Sequence, residues 1–340
     1  MEHFVNQSIG IFHACNFYGI GAMGATPAGD AVQISRPSFK ARFKAWWEGY
    51  EVAAEAPAMQ AAEPPPGTVA AVEQPPAPTV PVLDRAWVKV AQQIWGEGFT
   101  RPGGRAFILG LVKPFAVNPS MTVMDFGAEL GGGTRAVSNE FDLWVTGFEP
   151  DADLAAGGQE LSVRKGAKKA EIKHYAAQDF QPKAASYDCI FSSEALCRVA
   201  EKEKLLGTFE RALKPRGQIS VIDIVRSEGV AADDPRLANY TGRSSETFHF
   251  WQNADYEKQL KSLKFDLRID EDITASYRSM VIEAWVNFTN DGGSAACAKA
   301  MPDDLVAEVG LWTRRVAALD SGALQVRRYY AIKMGSAKVD

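Results

Sequence analysis

Hydrophobic positions change rhythm sharply at Leu83. From there on, short apolar runs alternate with segments whose apolar residues recur every three or four positions. The runs MTVMDFG, LWVTGFE, AEIKHY, YDCIFS and GQISVIDIV, rich in Val, Ile and aromatic residues, predict strands. Around and between them, LDRAWVKVAQQIWG (ending at Gly96), TRAVSNEF, DADLAAGGQELSVRKG, EKEKLLGTFERALKP and ADYEKQLKSLK predict helices. FDLRIDEDIT and LQVRRYYAIKM predict two final strands, separated by a helical insert over residues 275–320. Strands alternating with helices of about 10–15 residues imply an α/β fold. The expected architecture is a doubly wound sheet of about seven strands, mostly parallel, with helices on both faces and a last pair able to close antiparallel.

Upstream of Leu83 this alternation is absent. Residues 57–81 hold 8 of the 18 prolines and only two charges, a composition suited to an extended tether. The chain therefore divides into an N-terminal extension (1–56), a Pro/Ala-rich linker (57–82) and an α/β domain (83–336). Within the extension, Phe39, Phe43, Trp46, Trp47 and Tyr50 recur at helical spacing, flanked by Arg36, Lys40, Arg42 and Lys44. Such a helix either folds back on its own domain or rests on an anionic surface, so residues 36–50 carry the expectation of a peripheral membrane contact.

Composition narrows the function classes. Lys and Arg total 37 against 42 Asp and Glu, a net charge of −5, so no global positive field exists and nucleic acid is not an expected partner. The cysteines Cys15, Cys189, Cys197 and Cys297 form no Cys-x-x-Cys pair and lie at no zinc-finger spacing from histidine. Neither a disulfide framework nor a metal site is expected, and a reducing, cytoplasmic location is the default. No apolar run is long enough to predict a membrane-spanning helix.

The chemistry gathers at VMDFGAELGGGTRAV, where a strand runs into Gly127, Gly131, Gly132 and Gly133 and then a helix. Glycines at a strand-to-helix turn let backbone approach a ligand closely, as nucleotide-binding folds of many kinds require. Asp125 ends the strand before the first glycine. Glu149 ends the next strand, where a carboxylate can accept both hydroxyl protons of a ribose.

The order D-F-G-x-x-x-G, V-T-G-F-E, Y-D-C-I-F-S-S-E-A-L and L-K-P-R-G-Q resembles class I S-adenosylmethionine-dependent methyltransferases, over about residues 84–335. The small-molecule group is the nearest in kind: phosphoethanolamine and sarcosine N-methyltransferases and cyclopropane fatty acid synthases, to whose leading helix AWVKVAQQIWGEGFTRPGG is similar. The resemblance implies a Rossmann-like fold and S-adenosyl-L-methionine as cofactor. By it, Gly127 and Gly131 bracket the methionine part, Asp125 orients its amino end and Glu149 binds the ribose. Trp95 and Phe99 would lie near the sulfonium, where an aromatic face attracts a cation. The chain departs from the family at two places. Glu129 stands where glycine is usual, so either the amino-acid end sits differently or Glu129 salt-bridges its ammonium. Residues 175–179 read YAAQD without the usual acid after the third strand, leaving adenine to the backbone of Ala176 and Ala177.

The implied reaction is an in-line displacement that transfers a methyl group to a small-molecule or lipid-like acceptor. The protein mainly aligns the acceptor, excludes water and manages protons. Glu194, just past the fourth strand, is the first candidate for general base or acceptor binding, and His249 the second. Two other readings stay open: a cofactor-binding but non-catalytic interaction protein, favoured by Glu129 and the missing acid, and a nicotinamide dehydrogenase, disfavoured by the G-x-x-x-G spacing.

Overall fold

The computed structural model describes residues 80–240 and 246–335. The 36–50 helix and nearly all of the 57–82 linker lie outside the described residues. The first helix, α1 (Ala86–Trp95), buries Val88, Ala91, Ile94 and Trp95 and stops at Gly96, whose φ of 100° no residue with a Cβ adopts easily. A second helix, α2 (Gly104–Val112), leads to strand β1 (Thr122–Phe126). Helix α3 (Gly132–Phe141), strand β2 (Trp144–Glu149), helix α4 (Ala152–Arg164) and strand β3 (Ala170–His174) complete the first half. Asp151 caps α4, its carboxylate accepting the N–H groups of Asp153 and Leu154.

The second half returns to the middle of the sheet with β4 (Tyr187–Ser193), α5 (Lys202–Ala212) and β5 (Leu213–Arg226). The short helix α6 (Pro235–Ala238), then α7 (Asn253–Ser262) and β6 (Phe265–Asp272) follow. Three helices, α8 (Thr274–Asn290), α9 (Gly293–Ala300) and α10 (Pro302–Asp320), form the insert before β7 (Leu324–Lys333). The seven strands run in the order β3-β2-β1-β4-β5-β7-β6, with only β7 antiparallel to its neighbours. The predicted sheet and its antiparallel closure are therefore found.

Side-chain alternation sends the two faces of the sheet into separate cores. Val123, Phe191, Ile222 and Val326 pack with α1, α2 and the insert. Met124, Phe126, Ile190 and Val221 pack with α5 and α7 on the other side. Asp125 shares the face of Val123, so its carboxylate points toward the side covered by α1, α2 and the insert. The insert is fastened there by tryptophans: the Trp95 ring meets Trp312 at 4.8 Å and Trp285 at 6.3 Å, both edge-on. Among the described residues no helix is long and apolar enough to cross a membrane.

Candidate active site

The chain reverses its course across the sheet between β1 and β4. At such a switch point, the carboxyl ends of parallel strands leave a crevice. A small cleft, partly open to solvent, lies there. Phe99, Arg101, Asp125, Gly127 and Glu129 are among the residues that line it. Its floor is the turn from β1 into α3. At Gly127 (φ 82°) a Cβ would lie 2.2 Å from that of Ala195, because the chain leaving β4 crosses directly over the turn.

Glu129 occupies the turn in the left-handed region, at φ 50°. For a residue with a side chain this costs about 1–3 kcal/mol, and the surroundings must hold it. Its N–H donates to Glu149 Oε2 (2.8 Å), and its own Oε2 accepts from the Thr100 N–H (3.2 Å). Arg101 Nε stands 2.6 Å from Glu129 Oε1, an ion pair whose N–H does not point along the contact. The strap that carries Thr100 and Arg101, residues 96–103, is pinned to the turn by Gly132 N–H donating to Gly98 O (3.0 Å).

Asp125 and Glu149 are both buried. Asp125 Oδ2 accepts from Thr134 Oγ1 at 2.7 Å. Burial pushes its carboxyl up to about 7 against the pull of that hydrogen bond, and Glu129 and Glu149 push the same way. Glu149 lies under the turn, accepting from Glu129 N–H and, at 3.1 Å, from Asp151 N–H. Burial raises it to about 7 as well, opposed chiefly by Arg101. Three carboxyl groups thus crowd one small volume beside one guanidinium.

Glu194 is buried at the end of β4 with φ 54°. Tyr277 Oη, from α8, donates to its Oε1 at 2.9 Å, and its carbonyl accepts from Arg198 and, at 3.4 Å, from Arg101. Burial raises the carboxyl's proton affinity above the ordinary range. Beside it lies a cluster that the sequence reading missed. Arg198 Nε (3.0 Å) and Arg315 Nη2 (3.1 Å) both donate to the carboxylate of Glu246. Arg315 also stacks over Tyr240 and Trp312. Burial alone would raise Glu246, yet the Arg198 and Arg315 guanidiniums beside it hold it at about 2. Arg198 adjoins Cys197 in sequence, but Arg315 and Glu246 are 117 and 48 residues from it, and no local pattern links them.

The structure redistributes the other expected residues. Phe99 lines the cleft, its ring 2.7 Å from where a Cβ on Gly132 would stand. Trp95 does not: its indole is buried against Trp285 and Trp312, because the helix face that carries it is the one the insert covers. His249 is exposed and outside the cleft lining, its main chain paired to Cys197 O (2.7 Å) and to the Lys202 ammonium. Gly131 begins α3 in the left-handed region at φ 74°. Ala176, half-buried, and Ala177, exposed, follow β3 at the same sheet end as Glu149, whose carbonyl accepts the neighbouring Tyr175 N–H at 3.1 Å.

Comparison with known proteins agrees with this geometry. Residues 104–268 match the family model described as methyltransferase domain. Phosphoethanolamine N-methyltransferase 1 of Arabidopsis thaliana is 26% identical over 196 residues, 56% of this chain and 38% of that one. Phosphoethanolamine N-methyltransferase 2 of Caenorhabditis elegans is 28% identical over 141 residues, 41% of this chain and 32% of that one. This chain thus spans well under half the length of those relatives. Among solved structures, phosphoethanolamine N-methyltransferase 2 of Haemonchus contortus superimposes with a TM-score of 0.65 at 21% identity, over 74% of this chain and 59% of that one. The strand order, the glycine turn with its strand-end acids and the matched residues converge on one conclusion: residues 104–268 carry a methyltransferase domain with the fold of the class I S-adenosylmethionine-dependent enzymes.

Proposed function

We propose that this protein transfers a methyl group from S-adenosyl-L-methionine to a small acceptor bearing an acidic group. The observation that carries the reading is the contrast between two neighbouring charge clusters, each of which reaches the Glu194 carbonyl through an arginine. The glycine turn presents Asp125 and Glu129, with Glu149 beneath, and burial raises Asp125 and Glu149 to about 7. A ligand with a sulfonium and an ammonium supplies positive charge there, so the residues present fit the cofactor. In the adjoining cluster Arg198 and Arg315 bring two guanidiniums to the one carboxylate of Glu246, a surplus of positive charge that suits an anionic acceptor group.

When bound, S-adenosylmethionine supplies a methyl carbon activated by its sulfonium. This chain's residues bind and orient. Gly127 and Gly131 let backbone approach, Asp125 and Glu129 take the cationic end, and Phe99 covers the cleft from the strap. On this reading Glu194, with its raised proton affinity and its Tyr277 hydrogen bond, has the role of accepting a proton from an acceptor amine. The insert, tied down by Trp285 and Trp312, excludes water from that side. The Haemonchus contortus enzyme binds phosphomonomethylethanolamine and S-adenosylhomocysteine, and a phosphorylated amine suits the arginine pair here.

Incubation with donor labelled in the methyl group and a matched set of acceptors tests this. Phosphoethanolamine or a carboxylated amine should be methylated and ethanolamine should not. Arg198→Ala should raise the acceptor KM at least tenfold while leaving donor affinity unchanged. Equal methylation of ethanolamine would remove the acidic-acceptor reading. Donor binding with no product from any acceptor would instead favour the non-catalytic alternative.

A further inference from the structure

Lys202 opens helix α5, yet none of its surface reaches solvent. A cation is costly at that place. Burial strips away its water and lowers the ammonium's proton affinity below the ordinary lysine range. The first turn of a helix is also the positive end of its dipole. Among the described residues Lys202 forms no ion pair, and its electrostatic support comes chiefly from Asp223. A methionine would fill much of the same space without these costs. What the lysine adds is a set of N–H donors, and they tie two segments together. Nζ donates to Val199 O at 3.0 Å and to His249 O, with the centre of the Trp251 ring 5.5 Å away. Val199 closes the loop after β4, residues 194–199, which carries Glu194 and Arg198. His249 belongs to residues 246–251, which begin with Glu246. The same two segments meet again where His249 N–H donates to Cys197 O at 2.7 Å. Asp223, buried in β5, holds the loop from the sheet, taking the Cys197 N–H at 2.9 Å and the Tyr256 hydroxyl at 2.7 Å. Across this junction Arg198 reaches Glu246 at 3.0 Å and lies over the Phe248 ring.

We propose that Lys202 is a positioning residue for the acceptor: by holding Val199 and His249 at one point, it sets the Arg198 guanidinium where the acceptor's anionic group is received. This rests on the acidic-acceptor reading above and adds to it the residue that assembles its charge cluster. Sealed from solvent and outside the cleft lining, Lys202 acts only through the two segments it joins. A shift of about 1 Å in a group that orients substrate can cost a hundredfold in rate, so a tie remote from the chemistry still governs acceptor recognition.

Steady-state kinetics on the full chain, with phosphoethanolamine and with glycine as acceptors, tests the assignment alongside calorimetry with S-adenosylhomocysteine. Lys202→Met keeps the alkyl chain and drops the donors. For whichever acceptor is methylated, it should raise KM about tenfold or more and hold kcat within about threefold. S-adenosylhomocysteine affinity should stay within about twofold. A merely structural lysine would instead lower the melting temperature and the fraction of active protein, cutting kcat and binding stoichiometry at unchanged KM. Combined with Arg198→Ala, Lys202→Met should add little to the loss from Arg198→Ala alone, because both remove the same positioned guanidinium. Lys202→Gln, a neutral donor too short to span both carbonyls, should show the same split. An unchanged acceptor KM, an equal loss of donor affinity, or losses that add in the double variant would overturn the proposal and leave the acidic-acceptor reading intact. So would failure of both Lys202 variants to fold, which would assign the residue to stability alone. A natural protein that methylates neither acceptor would overturn the acidic-acceptor reading and this proposal with it.

Discussion

Asp125 shows how a single buried carboxyl ties function to stability. Its folded pKa of about 7 lies above the ordinary unfolded value near 4, so the folded state holds the proton more tightly. The stabilisation linked to that proton is complete below about pH 4 and is lost as pH rises through about 7, and Glu149 behaves alike. The ligand-free protein should therefore melt at a lower temperature at pH 8 than these two groups alone would allow at pH 5. Asp125→Asn, which cannot ionise, should raise the melting temperature at pH 8, with a gain in stability of on the order of 4 kcal/mol at most. Scanning fluorimetry across pH checks this, and an Asp125→Asn protein that melts below the natural one at pH 8 would refute it. A cationic ligand favours the ionised carboxylates, so its affinity should climb from pH 5.5 to 8, the reverse of the stability trend. Asp125 and Glu149 were legible in the sequence because each stands at or one residue before a strand's end, ahead of Gly127 and Pro150. Arg101 and Glu246 were not, since their partners stand 28 residues away or farther.

At the scale of elements, the strap and the glycine turn form one unit. Gly132 has ordinary helical backbone, yet a Cβ there would stand 2.7 Å from Gly98 O and from the Phe99 ring. Gly132→Ala should thus leave the helix intact, push the strap off the turn and weaken S-adenosylhomocysteine binding severalfold with little change in melting. Unaltered affinity would show that the strap has no part in binding. Most strands and helices were readable from apolar rhythm, but α2 was not. Its sequence GRAFILGLV has two glycines and an unbroken apolar run, so neither period stands out; it is helical because Ile108, Leu111 and Val112 fill the space above the sheet. The predicted helix EKEKLLGTFERALKP runs through Pro215, with the strand expected from Gly217, whereas β5 begins at Leu213. The structure carries the strand through LKPRG by a register shift, with Arg216 at φ 62°.

For the molecule as a whole, the insert and α1 stand or fall together. Trp312→Ala would empty the space between Trp95 and the neighbouring Arg315, and should cost about 3–5 kcal/mol measured by denaturant unfolding. Because Tyr277 reaches Glu194 from the same insert, that variant should also raise the acceptor KM. Removing residues 1–79 should by contrast leave cofactor affinity unchanged, since the glycine turn, the strand-end acids and both cores lie beyond them. A fragment of residues 80–340 that is insoluble or no longer binds would show that the extension is part of the domain.

The sequence by itself determined the layered sheet, its strand count, the glycine turn and the acids at the strand ends. These depend on period-two and helical spacing and on neighbours a few residues apart, interactions that a linear pattern encodes. Only the tertiary structure decided which side chains meet in the cleft. It turned Trp95 into the core because the insert covers that helix face, left His249 outside, and brought Arg101 to Glu129 and Arg198 and Arg315 to Glu246. Such pairings are made by packing between distant segments, where burial strengthens each charge interaction and no spacing along the chain announces it.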